Sequence, residues 1–214
     1  MAENTNVGNI PEAVIRRLPK YYRYLREMER LGEVRISSAK MSRDMGFNAS
    51  QIRRDLNYFG GFGQQGYGYS VPNLKAEIAH ILGIDKRYNV VVIGAGNIGH
   101  ALMRYKKFEQ RGFNFIGMFD VDEKKIDGKT VRHISELPQI VRKYGMIHIG
   151  VICTDKGAAQ ETAEMLERLG VKGIWNFAPV DVSVSKRVAV QHVHLNDSLY
   201  ELCFRMTDEN AQLI

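Results

Sequence analysis

The chain has 214 residues, 44% of them hydrophobic and 25% charged, with a formal net charge of +6. That length holds one large domain or two small ones, each able to bury a core. No apolar run approaches the ~20 residues needed to span a membrane, and two cysteines, Cys153 and Cys203, argue against a disulfide scaffold. The opening Met1-Ala2-Glu3-Asn4 lacks the basic region and apolar stretch of a secretory signal, so a cytoplasmic protein is expected.

The charge is unevenly placed. Residues 1–87 carry 14 Lys/Arg against 9 Asp/Glu, whereas residues 88–214 carry 16 against 15. Between Arg16 and Asp55 the count is 11 against 5. Clustered positive charge is the electrostatic footprint of a polyanion partner. For a charge run alone, a solvated basic surface is the favoured reading.

Pro11 and Pro19 fit first-turn helix positions, and the pattern predicts a helix from about Pro19 to Leu31, ended by Gly32. Ile36-Ser37-Ser38 offers an N-cap to a short helix that stops at Gly46. Asn48 caps the next helix, with Gln51 placed as its capping-box partner. On that helix Ile52, Leu56 and Phe59 recur at core spacing. Ser50, Gln51, Arg53, Arg54, Asn57 and Tyr58 are left for the outer face, where such side chains contact base edges and phosphates. Helix, short turn, helix with this polar face predicts a helix-turn-helix whose second helix enters the major groove. The Gly-rich segment from Phe59 to Tyr69, interleaved with aromatics, predicts a hairpin wing. Gln64, Gln65 and Tyr67 on it complete the expected DNA-facing set. Val71 to Leu82 is an amphipathic linker helix closed by Gly83, and Lys86-Arg87 marks the expected domain boundary.

Tyr88-Asn89-Val90-Val91-Val92-Ile93 reads as a strand buried on both faces. Gly94-Ala95-Gly96-Asn97-Ile98-Gly99 follows at once and opens a helix running to about Tyr105. In this context the G-x-G-x-x-G pattern is a dinucleotide fingerprint. Gly94 turns the chain, Gly96 admits the pyrophosphate to the backbone, and Gly99 lets helix and strand pack closely. The helix N-terminus offers N–H groups to the phosphates. The next strand, Phe115 to Phe119, ends at Asp120, where an acid accepts hydrogen bonds from the ribose hydroxyls and repels a 2′-phosphate. NAD(H) is therefore expected over NADP(H). Ser135 caps a predicted helix through Lys143, Met146–Cys153 reads as a strand, 157–169 as a helix, and Gly173–Phe177 as another strand. The alternation predicts a Rossmann-like, doubly wound parallel sheet, with Asn97, Cys153-Thr154 and Asn176-Phe177 lining the cleft at the strand ends. The tail after Val193 is helical, with Leu199, Leu202, Cys203 and Met206 on one face. It either pads the sheet or is exchanged with a second subunit.

Several segments together give the chain a close resemblance to the Rex family of redox-sensing transcriptional repressors. They are Gln51-Ile52-Arg53-Arg54-Asp55-Leu56, Tyr58-Phe59-Gly60, Gly66-Tyr67-Gly68-Tyr69, the fingerprint, Phe119-Asp120-Val121-Asp122 and Gly173-Ile174-Trp175-Asn176-Phe177-Ala178-Pro179. The resemblance implies an α/β chain in three parts: a winged helix-turn-helix domain over 1–87, a Rossmann domain over 88–194, and a swapped dimerisation helix over 195–214. It implies a homodimer on palindromic double-stranded operator DNA, relieved by NADH, with no membrane partner. It also implies a nicotinamide-side role for Tyr105. Three positions depart from the family pattern. Gln64-Gln65 stands at the wing tip where basic residues are common, Asp155 where a proline is common, and His194 where an acid usually pairs with an arginine matching Arg17.

An NAD-dependent dehydrogenase with a basic accessory domain is the main alternative, because this fold hosts many functions. No Tyr has a Lys four residues on, and only ~30 residues follow the sheet, fewer than a substrate domain needs. A thiol regulator is a third reading, set against the expected burial of both cysteines. His192 and His194 alternate along a strand, but two ligands are too few for a closed zinc site, so no metal is expected.

Overall fold

The computed structural model describes residues 10–60, 63–64, 67–122, 124–126 and 129–207. They fall into two compact units, Met1–Lys86 and Arg87–Ile214.

In the first unit α1 spans Glu12–Arg30, with Pro11 as its N-cap residue and Pro19 inside it. This corrects the expected start at Pro19. Val14, Leu18, Tyr21 and Leu25, at spacings of four, three and four, line one buried face that runs through the proline. An interior proline costs about 3 kcal/mol. Burying Val14 and Leu18 ahead of it returns roughly 1.5–3 kcal/mol each, and Pro19 itself stays exposed. β1 (Arg35–Ile36) follows, then α2 (Ser38–Met45), capped by the Ser37 side chain and stopped by Gly46 at a φ of 73°. α3 (Ala49–Asn57) is capped by Asn48, whose Oδ1 accepts from the Ser50 N–H. Among the described residues no return bond from Gln51 completes the expected capping box. β2 (Gly63–Gln64) and β3 (Gly68–Ser70) form the hairpin, and β1 adds antiparallel to β3, giving the order β1-β3-β2. α4 (Val71–Ile81) closes the unit. One apolar core takes Ile52, Leu56 and Phe59 from α3 and its C-terminal turn, together with α1, Met41, Tyr69 and Leu74.

The second unit is built on β4 (Tyr88–Ile93), followed by α5 (Asn97–Arg104), β5 (Phe113–Asp120), β6 (Lys124–Ile126), β7 (Lys129–His133) and α6 (Leu137–Tyr144). Then come β8 (Ile149–Ile152), α7 (Ala159–Arg168), β9 (Gly173–Asn176), β10 (Ala189–His192) and α8 (Leu195–Met206). The sheet order is β10-β9-β8-β4-β5-β7-β6; every pairing is parallel except β6 with β7. Alternation along β4 fills two cores. Val91 and Ile93 join α6 and α7 on one face, and Val90 and Val92 join Met118 and Val151 on the other.

Four local expectations are corrected. The helix placed at Ser135 begins at Leu137, after one 3₁₀ turn over Ile134–Glu136, because the His133 ring accepts from the Ser135 N–H and takes the capping role. The strand expected over Met146–Cys153 shortens to Ile149–Ile152; ahead of it the Met146 carbonyl is taken by the Asn89 side-chain amide rather than by a ladder N–H. The helix expected from Gly157 begins at Ala159, where the Asp155 carboxylate accepts from the Ala158 N–H. The β6–β7 pair was not expected: its short, lysine-bearing strands lack an apolar run.

Candidate nucleotide and DNA-facing sites

In the first unit α3 separates two kinds of polar residue. Ser50, Arg53, Arg54, Asn57 and Tyr58 are exposed and Gln51 is half-buried. Arg53 is held from both sides, with Nη1 donating to Ser38 Oγ (3.0 Å) and Nη2 to Ser50 Oγ (3.2 Å). No such tether holds Arg54 among the described residues. Tyr67 is 70% exposed just ahead of the returning wing strand, while Tyr69 packs into the core. The aromatics expected to turn inward from the wing therefore split: Tyr67 stands in the turn ahead of β3, outside its alternation, and Tyr69 turns inward from the strand. Gln64 lies on β2, and Gln65 lies outside the described residues.

Sequence reasoning missed the inner polar residue of α3. Asp55 is 3% exposed, and Arg17 closes on it with two bonds, Nε to Oδ2 (2.6 Å) and Nη2 to Oδ1 (2.8 Å). The Tyr21 hydroxyl donates to the same Oδ2 (2.7 Å). The hydrogen bond to Asp55 pushes Arg17 up from its ordinary value, and burial, then that bond, push the Tyr21 phenol up. A buried carboxylate left alone is costly, so this trio fixes the inner face of α3 to α1. The signal was present: Asp55 sits between Ile52 and Leu56, on the side facing the core. Arg17, matched by resemblance to an ion pair with position 194, is answered by Asp55.

In the second unit the three fingerprint glycines are not equivalent. Gly94 has a φ of +102°, and a Cβ there would stand 2.5 Å from the Cys153 carbonyl. A Cβ on Gly99 would collide with the Gly94 carbonyl oxygen. Gly96 has ordinary backbone angles (φ −83°, ψ −175°), and among the described residues, its two chain neighbours aside, no atom lies within 4 Å of where its Cβ would stand. Nothing among the described residues demands glycine at 96. Gly96 is also the N-cap residue of α5 and makes no side-chain cap bond. Asn97 is exposed, and Ala95 and Ile98 are half-buried.

Asp120 closes over the fingerprint loop. Its Oδ2 accepts from the Ala95 N–H (2.7 Å) and its Oδ1 from the Val121 N–H (2.7 Å). Thr154 is half-buried beyond β8, its hydroxyl donating to the Asp155 carbonyl (3.2 Å). Asn176 is fully buried; its amide donates to the Val180 carbonyl (2.7 Å) and its Oδ1 accepts from the Ala178 N–H (3.0 Å). It brackets the turn after β9 with its side chain, so its polar atoms are engaged within the protein. Phe177 meets Trp175 edge-on at 4.7 Å. Trp175 meets Phe108, Phe108 stacks on Phe115, and Tyr105, 45% exposed, packs edge-on to Phe108 at 4.9 Å. Tyr105 and Phe177 are thus joined through one aromatic chain.

Burial pushes the Cys153 thiol up to about 12, so almost none of it is thiolate at neutral pH, while Cys203 is exposed on α8. The exposure of Cys203 corrects its expected burial: α8 has no buried residue in this chain. His192 and His194 do share one face. His194 Nε2 lies 2.8 Å and His192 Nδ1 3.5 Å from Asp181 Oδ1. Among the described residues no group of three His, Cys, Asp or Glu is placed to hold a metal, and no helix is long and apolar enough to cross a membrane.

Two family models match. "Putative DNA-binding protein N-terminus" covers residues 9–57, and "CoA binding domain" covers residues 85–180. The redox-sensing transcriptional repressor Rex of Clostridium novyi is 50% identical over 206 residues, covering 94% of this chain and 98% of that one. The protein of the same name from Thermoanaerobacter pseudethanolicus is 48% identical over 213 residues, covering 98% and 93%. Among solved structures, RSP in complex with β-NAD+ and operator DNA superposes with a TM-score of 0.87 at 46% identity, covering 95% of both chains. RSP in complex with β-NADH gives 0.84 at 43% identity, covering 94% of this chain and 96% of that one. RSP is described as a Rex-family repressor. The chain belongs to the Rex family of redox-sensing transcriptional repressors, and its near relatives are named as repressors, not as enzymes.

Proposed function

We propose that this protein is a redox-sensing transcriptional repressor: it holds palindromic operator DNA as a homodimer and is released when NADH occupies its second unit. The observation that carries the nucleotide half is Gly96, a glycine with ordinary backbone angles and open space, as close approach of a pyrophosphate to the backbone requires. Gly94, Ala95, Gly96, Asn97, Ile98 and Gly99 cradle the pyrophosphate, Asp120 takes the ribose hydroxyls, and Thr154, Phe177 and Tyr105 form the nicotinamide side. Asn176 shapes that wall from behind. An apolar, water-poor pocket near Tyr105 and Phe177 favours the neutral reduced ring by the desolvation cost of the cationic oxidised one.

The DNA half rests on the exposed face of α3 and on the wing. Ser50, Gln51, Arg53, Arg54, Asn57 and Tyr58 read the major groove, with Gln64, Gln65 and Tyr67 beside them. Double-stranded operator DNA with two half-sites about one helical turn apart matches a two-fold dimer. α8 supports the dimer. Leu195, Leu199, Leu202 and Met206 are all more than half exposed and share one face of the helix by their spacing, and an exposed apolar face of that kind marks an interaction site. We read the chain as 1–87 for DNA, 88–194 for NAD(H) and 195–214 for dimerisation, acting in the cytoplasm where both ligands are found.

NADH and operator must weaken each other's binding by the same factor. Titrating operator binding with NADH, NAD+ and NADPH in parallel tests this. NADH should release the operator at concentrations where NAD+ and NADPH do not. Operator affinity unchanged at saturating NADH would refute the reading, and equal effects of NADH and NAD+ would remove the redox sensing from it.

A further inference from the structure

The wing carries a cation that does not come from its own hairpin. Arg35 lies on β1, exposed and paired in register with Ser70 of β3, while its neighbour Ile36 points into the core. Its guanidinium carbon stands 5.8 Å from the centre of the Tyr67 ring, and Nη1 donates to the Tyr67 carbonyl (3.3 Å). No carboxylate closes on Arg35 among the described residues, so its remaining N–H donors are not spent on an ion pair. The ring beneath it is 70% exposed and has no packing role in the core. Three residues further on, Ser38 holds Arg53 of α3, so one short segment, 35–38, presents one cation on the wing and fixes a second on the recognition helix. A planar guanidinium seated on an aromatic face with a free edge is arranged for an oxygen anion arriving from solvent.

We propose that Arg35, held on the Tyr67 ring, is the wing's contact to a DNA backbone phosphate, supplying from β1 the charge that Gln64-Gln65 lacks. This rests on the repressor reading. The contact positions the wing and carries no base information.

The test uses the full chain and two probes: a duplex selected by the wild-type protein from a random pool, and a scrambled duplex of the same composition. Affinity is measured from low to high salt for wild type, Arg35→Gln, Arg35→Lys and Arg30→Gln. Arg35→Gln should weaken both duplexes alike, by about tenfold for each charge-assisted hydrogen bond removed. The slope of log affinity against log salt should fall by about two units for a dimer in which each subunit gives up one phosphate. Arg35→Lys should restore the slope. Arg30→Gln removes the same charge from the Glu27 pair on α1 and should leave the slope at its wild-type value. An unchanged slope in Arg35→Gln, a loss confined to the selected duplex, or an equal fall in Arg30→Gln would each overturn the proposal. If wild type selects no duplex at all, the repressor reading fails instead.

Discussion

α3 and α5 are both short helices, one in each unit, and they are loaded in opposite ways. α3 has its first turn capped by a side chain, and its polar outer face is made of side chains that the core does not use. α5 starts at an uncapped glycine and offers backbone N–H groups and missing side chains. A face made of side chains can be changed one residue at a time while Ile52 and Leu56 keep the helix in place. A face made of backbone shares its atoms with the fold, and only Gly96 is released from that double duty.

The sharpest test of the difference lies within the fingerprint, where the largest effects are expected. Gly94→Ala and Gly99→Ala place a methyl against backbone carbonyls and should cost ~3 kcal/mol or more of stability. Gly96→Val should unfold at the wild-type temperature yet bind no NADH. Thermal unfolding and calorimetry separate the two classes, and intact NADH affinity in folded Gly96→Val would break the comparison.

On α3 the prediction reverses: function falls and the fold does not. Arg53→Ala and Arg54→Ala should each weaken operator binding by ~1–3 kcal/mol if the arginine meets a base, relaxing specificity at that base pair, whereas an arginine that meets a phosphate weakens all sequences alike when removed. Unfolding temperatures should stay within a degree or two. Unchanged DNA affinity in both variants would sink the recognition-helix assignment.

These two predictions also mark what the sequence could and could not reveal. Helix and strand types were legible because Ile52-Leu56-Phe59 and Val90–Ile93 carry the periods of a half-buried helix and a buried strand. The fingerprint was legible because glycine spacing encodes backbone approach directly. Pro19 misled, because local propensity weighs against a helix that four buried residues hold together. The Arg17–Asp55–Tyr21 trio joins residues 38 and 34 positions apart, and no local pattern states such a pairing. The separation of Gly96 from Gly94 and Gly99 needed the positions of Cys153 and the Gly94 carbonyl, which only the folded sheet supplies.

Asp120 tests the boundary between backbone and side-chain function, with a smaller effect. Its carboxylate is the one side-chain group that closes on the fingerprint loop among the described residues, through the Ala95 N–H. Asp120→Ala should weaken NADH by about tenfold and narrow its advantage over NADPH, because the ribose acceptor and the negative charge go together. Asp120→Asn keeps an acceptor for the loop and loses the charge, so it should retain more NADH affinity while admitting NADPH. Parallel calorimetry with both nucleotides reads the result. An undiminished preference for NADH in Asp120→Asn would show that the discrimination lies elsewhere.

The smallest effect concerns the caps themselves. Asn48→Ala removes the bond to the Ser50 N–H and should cost the first unit about 1 kcal/mol of stability, seen as a lower unfolding temperature with NADH affinity unchanged. Gly96→Ser does the converse for α5. A serine at an N-cap offers its hydroxyl to the first-turn N–H groups, so stability should hold or rise slightly while NADH affinity falls. One substitution lowers stability and spares NADH binding and the other spares stability and lowers NADH binding, as expected if the same kind of N–H group is spent on a side chain in α3 and kept for a ligand in α5. If Gly96→Ser bound NADH as well as wild type, those N–H groups would not be where the nucleotide docks.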